Sequence, residues 1–261
     1  MFFLGLARFD EQREFRLGPG FKTNSECGFM EEMRQRRNNR ISWPLLALFA
    51  VICSPGAMAS LPPECGTLEN HFGPFDYMVR TSRNLENLRV VEKAHFDGNV
   101  ARLQTHSKCK TKRTCSSVAG DMAYTLAVFP NHHEALLSMS QYHLQGLHTS
   151  RRPMRYSPDC YFLRAIAFRP RDATVRMIFA YYLSKMGRMD AARNEYEVAL
   201  EIAPDSAEVN YNAGLFFLDL NEIDKAAVYA ARAYQLGHPL SGLRNRLLDS
   251  GVDIDDLEGE P

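Results

Sequence analysis

Two consecutive segments of equal length decide the fold. The first reads ATVRMIFAYYLSKMGRMDAARNEYEVALEIAPDS over residues 173–206, and the second reads AEVNYNAGLFFLDLNEIDKAAVYAARAYQLGHPL over residues 207–240. Aligned over 34 positions, they place small residues at the same points, in the pairs Ala180/Gly214, Ala192/Ala226 and Ala199/Ala233. A period of this length indicates a repeated unit of two helices, in which small residues let the helices approach closely.

Residue types that terminate helices mark the predicted helix ends. Gly187 and its counterpart Asn221 stand where the first helix of each unit should end in a left-handed turn. Pro204 stands where the second helix of the first unit should end. Each unit is therefore expected to be an antiparallel helix pair.

This pattern resembles the tetratricopeptide repeat (TPR) over residues 173–240. The resemblance implies an all-α fold, in which antiparallel helix pairs stack into a right-handed array. Upstream the same frame continues in degraded form, because AIAFRP at 165–170 and AVFP at 127–130 share the layout of ALEIAP at 199–204. About six extra residues are expected around Arg151 to Ser157. Leu85, Leu88, Val91, Val100 and Leu103 suggest two further short helices before that.

A last helix should close the array, since an open end would expose an apolar face. Leu243, Leu247 and Leu248 continue one apolar face, with Arg244 and Arg246 toward water. The chain is expected to divide into a leader with a signal peptide (1–59), an N-terminal extension (60–84), degenerate helical repeats (85–172), two regular TPR repeats (173–240), a C-terminal cap helix (241–251) and an acidic flexible tail (252–261).

The first 59 residues have the order of a secretory signal peptide. A basic run ends at Arg40, an apolar stretch spans Ile41 to Cys53, and small residues precede a predicted cleavage after Ala59. A leader of ordinary length would start at Met30 or Met33. The alternative is an uncleaved leader that anchors the protein in the inner membrane, but the apolar stretch is short for a span and contains Pro44.

Export would leave four cysteines in an oxidising compartment, which favours disulfides. Four cysteines permit three pairings. The loop between Cys109 and Cys115 is short and easy to close, which would leave Cys65 to pair with Cys160. A zinc site is the alternative, but none of these cysteines has the Cys-x-x-Cys spacing.

Net charge excludes a strongly basic nucleic-acid-binding protein, because 31 basic side chains balance 31 acidic ones. Basic and acidic side chains are nevertheless unevenly distributed along the chain. Residues 80–176 hold 16 basic and 7 acidic side chains, whereas residues 177–261 hold 7 and 15. Two basic loops could bind an anionic partner or an anionic membrane, and the alternative is two solvated loops. Their residues are Lys108, Lys110, Lys112, Arg113, Arg151, Arg152 and Arg155.

Three phrases extend the resemblance beyond the regular repeats. HFGPFDY at 71–77, EKAHF at 92–96 and FPNHHEAL at 129–136 resemble a group of exported proteobacterial TPR proteins of unknown function. The resemblance implies a periplasmic location and a repeat fold, and it supplies no activity.

The TPR resemblance also implies a concave groove lined by the first helix of each repeat. A groove of this composition suits a peptide or a partner helix. The alternative is that some of these side chains belong to the core between repeats. The predicted groove residues are Met177, Tyr181, Ser184, Glu208, Tyr211, Asn212 and Leu215, with Thr174 and Leu218 beside them.

Histidines form the remaining candidate site. His95, His132 and His133 could bind a metal with nearby carboxylates, but no His-Glu-x-x-His occurs, and helix capping is the simpler interpretation of His132 and His133. Motifs for nucleophilic, phosphate or dinucleotide chemistry are absent. The sequence therefore predicts a non-enzymatic binding or scaffold module without a cofactor. The alternatives are a histidine-based metal- or haem-handling factor and a membrane-docking adaptor.

Overall fold

Helices account for the regular structure of residues 61–97, 112–147 and 154–254, the ranges that this computed structural model describes. These ranges contain one 3-10 turn at Pro63–Cys65, no strand and nine α-helices, so the expected all-α class is confirmed. The helices are α1 Ser82–His95, α2 Lys112–Val128, α3 His133–Leu144, α4 Pro158–Phe168, α5 Ala173–Lys185, α6 Met189–Ile202, α7 Ala207–Asp219, α8 Ile223–Gln235 and α9 Gly242–Asp249.

Polar residues cap the start of several of these helices. The side chains of Thr81, His132, Ser157, Asp172 and Ser206 each accept a hydrogen bond from the backbone N–H three residues later. Such N-caps satisfy donors that the first helical turn leaves unpaired. Local sequence thus fixes the start of α1, α3, α4, α5 and α7.

The last two helix pairs repeat in register. α5 and α7 begin 34 residues apart, and so do α6 and α8. Within each pair the helices pack along one another across a short turn. Gly187 and Asn221 in these turns have φ values of 75° and 59°, which confirms the predicted left-handed turns.

Small residues lie where these helices touch. Ala180, Ala192, Ala199, Ala226 and Ala233 are all fully buried. A Cβ added at Gly214 would lie 2.5 Å from Leu243 Cδ2 and 3.4 Å from the backbone oxygen of Ala226. The expected close approach is therefore present, and α7 also contacts α9 through this glycine.

α9 packs on α7 and α8, with two corrections to the sequence interpretation. Leu243 and Leu247 are fully buried, but Leu248 is 46% exposed, because it falls off their side of the helix. Ile254 is 1% exposed and joins the core, so the chain stays packed beyond the start predicted for the flexible tail. Residues 255–261 lie outside the described ranges.

The N-terminal half contains α1 to α4. α1 packs on α2, and α3 packs on α2, α4 and α5. Leu88 and Val91 are buried, whereas Leu85 is 37% exposed, and Val100 and Leu103 lie outside the described residues. α3 ends at Leu144.

A disulfide joins Cys65 to Cys160, with Cα atoms 4.9 Å apart. It links the 3-10 turn to α4 across 95 residues of sequence, and this pairing is the one expected. Cys109 and the side chain of Cys115 lie outside the described residues, as does the leader. Within the described ranges, no helix is long and apolar enough to cross a membrane.

Candidate functional site

The predicted groove residues occupy equivalent positions on α5 and α7, which pack against each other. Tyr181 on α5 corresponds to Leu215 on α7, and both side chains are half-buried. Ser184 and Glu208 are half-buried as well, as is Thr174. These residues form the accessible part of the predicted groove.

Four residues of the predicted set differ from expectation, because their side chains are buried. Met177 is fully buried in the core, and Leu218 is 8% exposed. The ring of Tyr211 stacks on that of His238, with centroids 3.8 Å apart. Asn212 turns back on its own helix, where Nδ2 donates to the backbone oxygen of Glu208. The alternative interpretation as inter-repeat core therefore describes these four residues.

Glu208 is the acidic residue among those named for this face. Burial raises the pKa of its carboxyl to about 7. Its Oε1 has no hydrogen-bond partner among the described residues. A carboxylate held in this way gains more than a solvated one from a cation brought by a ligand.

The three candidate metal ligands pair with three different carboxylates. His95 Nδ1 lies 3.1 Å from Asp121 Oδ1, and His132 Nε2 lies 3.2 Å from Glu92 Oε1. His133 Nε2 lies 3.0 Å from each carboxylate oxygen of Asp172. Among the described residues, no three His, Cys, Asp or Glu side chains converge as a metal site would require.

A buried polar network surrounds His133. Asn131 Nδ2 donates to Asp172 Oδ2 at 3.0 Å and to Asp76 Oδ1 at 2.9 Å, and Asp76 also pairs with Arg169. Asp172 Oδ1 accepts from the N–H of Val175 and thereby caps α5. Burial alone would raise the pKa of Asp172, but the His133 and Asn131 hydrogen bonds lower it below its usual value.

Tyr77 covers this network. Its ring stacks on His132 at a centroid distance of 4.4 Å and meets the edge of His133 at 5.0 Å. Its backbone N–H donates to Asn131 Oδ1 at 3.0 Å. Burial, with the carboxylates of Glu134 and Glu92, raises the pKa of Tyr77 to about 12. These contacts fasten the segment before α1 to the start of α3, which is a structural role.

The sequence interpretation missed this network because its partners are far apart in the chain. Asp172 stands 34 residues before Ser206, which caps α7, so its capping role could have been inferred from the repeat. Its contact with His133, 39 residues away, leaves no local pattern.

Most of the predicted anion-binding set lies outside the described residues. This holds for Lys108, Lys110, Arg151 and Arg152, and for the side chains of Lys112 and Arg113 at the start of α2. Arg155 is exposed, and its guanidinium lies 5.3 Å from the ring centroid of Tyr156.

Comparison with known proteins adds no assignment: neither a scan against protein-family models nor a search of curated proteins finds a match.

His132 should make stability fall as the pH drops below about 6.5. Burial lowers the pKa of this fully buried ring, and the hydrogen bond that the ring donates to Glu92 only partly opposes this. The unfolded chain therefore takes up the proton first, so the free energy of unfolding decreases until the pH passes the lower, folded pKa. His132→Asn keeps an N-cap side chain but cannot titrate. Urea unfolding between pH 7.5 and 5 should show a flatter profile for this variant.

The matched control is His71→Asn, which alters an exposed histidine. It should keep the wild-type slope. If the free energy of unfolding had the same pH dependence in wild type and His132→Asn, His132 would not be the group responsible.

Proposed function

We propose that this chain is an exported TPR-type protein that binds a peptide or protein segment on the face of α5 and α7. The observation that carries the proposal is the 34-residue register shared by the two helix pairs, together with α3, α5 and α7 packing in succession. Stacked helix pairs present a rigid surface that loses little entropy when a ligand docks.

The chemistry of this face favours a ligand with a basic residue. Glu208 supplies a partly desolvated carboxyl, and Tyr181 and Leu215 supply half-buried apolar surface on adjacent helices. A lysine or arginine beside an apolar residue matches both features. The acidic excess of residues 177–261 would attract such a segment at long range.

Peptide selection tests the proposal. Peptides selected from a random library on the purified full-length protein should be enriched in Lys or Arg next to an apolar residue. Glu208→Gln should weaken the selected peptides about tenfold, equivalent to about 1.4 kcal/mol. The control Glu201→Gln removes an exposed carboxylate from α6 and should leave binding unchanged. Equal binding by Glu208→Gln and wild type, or selection of acidic peptides, would contradict the proposal.

A periplasmic location is the second part of the proposal. A disulfide between Cys65 and Cys160 suits an oxidising compartment. N-terminal sequencing of the protein from a cell-envelope fraction should begin at Ser60. A mature chain that retains the apolar stretch Ile41–Cys53 would instead support the inner-membrane anchor.

Neither alternative function gains support from the described residues. Three histidines engage three separate carboxylates, which argues for structural pairing rather than metal or haem handling. Of the seven side chains considered for membrane docking, only Arg155 lies among those described.

A further inference from the structure

A cleft of about 720 Å³ lies between α2, α4 and the segment that follows the Cys65 turn. Arg155 and Arg164 line it together with the aromatic rings of Tyr124, Tyr156 and Tyr161. Apart from Tyr124, the α2 residues that line the cleft are small: Ala119, Gly120, Ala123 and Ala127. No sequence motif pointed to this cleft, which lies in the basic half of the chain.

Arg164 is a buried cation without a described counter-charge. Its side chain is 4% exposed, and its Nη1 donates to the backbone oxygens of Cys65 and Thr67. Its Nε is buried without a hydrogen-bond partner among the described residues, and no described carboxylate forms an ion pair with the guanidinium. A buried charge without a counter-charge is energetically unfavourable, so this arrangement favours a bound anion.

The second arginine lies on the same aromatic ring. The guanidinium carbons of Arg164 and Arg155 lie 5.0 and 5.3 Å from the ring centroid of Tyr156. Glu69 also lines the cleft, but it is exposed and forms no described ion pair with either arginine. Burial lowers the pKa of Arg164; Tyr156 and Tyr161 oppose this, and neighbouring Arg155 adds to it. A ligand that carries negative charge would relieve this repulsion.

The two arginines indicate which anion fits. Nη1 of Arg164 donates to two carbonyl oxygens and its Nε is buried, so Arg164 supplies positive charge at the cleft wall, and the exposed Arg155 supplies accessible guanidinium donors. Two donors on one edge of a guanidinium match the two oxygens of a carboxylate. Tyrosine rings and the open space above Gly120, where an added Cβ would meet nothing within 4 Å, suit a flat apolar group.

We propose that this cleft binds a small organic carboxylate with a flat, largely apolar body, the carboxylate on Arg164 and Arg155 and the body beside Gly120 and the tyrosines. This site is independent of the peptide-binding face, and Glu208→Gln should leave it unchanged.

Ligand-observed NMR titration of the full-length protein tests the proposal. The probes are benzoate, 4-hydroxyphenylacetate and indole-3-acetate, each compared with its uncharged amide and with inorganic phosphate. At least one carboxylate should bind with a Kd of about 1 mM or tighter and at least tenfold more tightly than its amide. Equal affinity of acid and amide for all three probes, or tighter binding of phosphate, would overturn the proposal.

Gly120→Leu separates ligand binding from folding. The new side chain enters open space in the cleft and should weaken the carboxylate at least tenfold. The helix should remain stable, because leucine is more favourable than glycine inside a helix. Arg155→Gln should weaken binding about threefold or more, whereas the control Arg171→Gln, which removes an exposed charge elsewhere, should not. Unchanged affinity in Gly120→Leu would place the ligand outside this cleft and overturn the proposal.

Discussion

Replacing Cys65 and Cys160 together by alanine should lower the free energy of unfolding by about 4–5 kcal/mol, the value expected for a closed loop of roughly 100 residues. The disulfide spans 95 residues and holds the 3-10 turn against α4. Both sulfur-bearing side chains are buried, at 1% and 4% exposure. Urea unfolding followed by circular dichroism at 222 nm measures the loss.

Reductant supplies the control for this prediction. Dithiothreitol should destabilise the wild type by a similar amount, because it removes the same cross-link. Its effect on the double alanine variant should be smaller than its effect on the wild type. If reductant left the unfolding midpoint of the wild type unchanged, the Cys65–Cys160 bond would not stabilise the fold.

Asp172→Ala should cost about 3–5 kcal/mol, because it leaves buried partners without their acceptor. His133, Asn131 and the N–H of Val175 all bind this carboxylate, whose residue is 5% exposed. Asp172→Asn should cost less, since an amide oxygen can still cap α5. Thermal and urea unfolding of the three proteins give the comparison.

Asp205→Ala is the matched surface control. Asp205 pairs with Arg232 near the protein surface, where an ion pair contributes about 1 kcal/mol or less. A loss for Asp172→Ala as small as that for Asp205→Ala would mean that the buried network is unimportant.

The contribution of the Asp172 carboxylate to stability should be lost in acid. Because its folded pKa lies below the usual value, the contribution is complete above about pH 4 and disappears as the pH falls through the folded pKa. The wild type should lose this increment in that range, and Asp172→Ala should not.

Local features of the fold could be read from the sequence. Gly187 and Asn221 have positive φ because the chain leaves a helix there in a left-handed turn. The alignment of the two repeats predicted both positions. The buried alanines followed from the same alignment, because close helix packing excludes larger side chains. These features depend on the spacing of residues along the chain, which can be measured in the sequence itself.

Contacts between distant segments could not be read in this way. Asp172 with His133 and Arg164 with the carbonyl of Cys65 join residues 39 and 99 positions apart. Tyr211 lies on α7, and its stacking on His238 decides that its side chain is buried. The exposure of a side chain depends on the helices packed around it. A repeat pattern indicates on which face of a helix a residue lies, but not which residues of other helices cover that face.

Positional photocrosslinking in cells tests the binding face most directly. A photoreactive amino acid placed at Tyr181 or Leu215 reports on the α5 and α7 face, and one at Val228, which is 63% exposed on α8, reports on another surface. One and the same partner should crosslink at positions 181 and 215 and be missing at 228, and Glu208→Gln should weaken both crosslinks. A partner captured equally well from position 228, or absent from 181 and 215, would contradict this prediction.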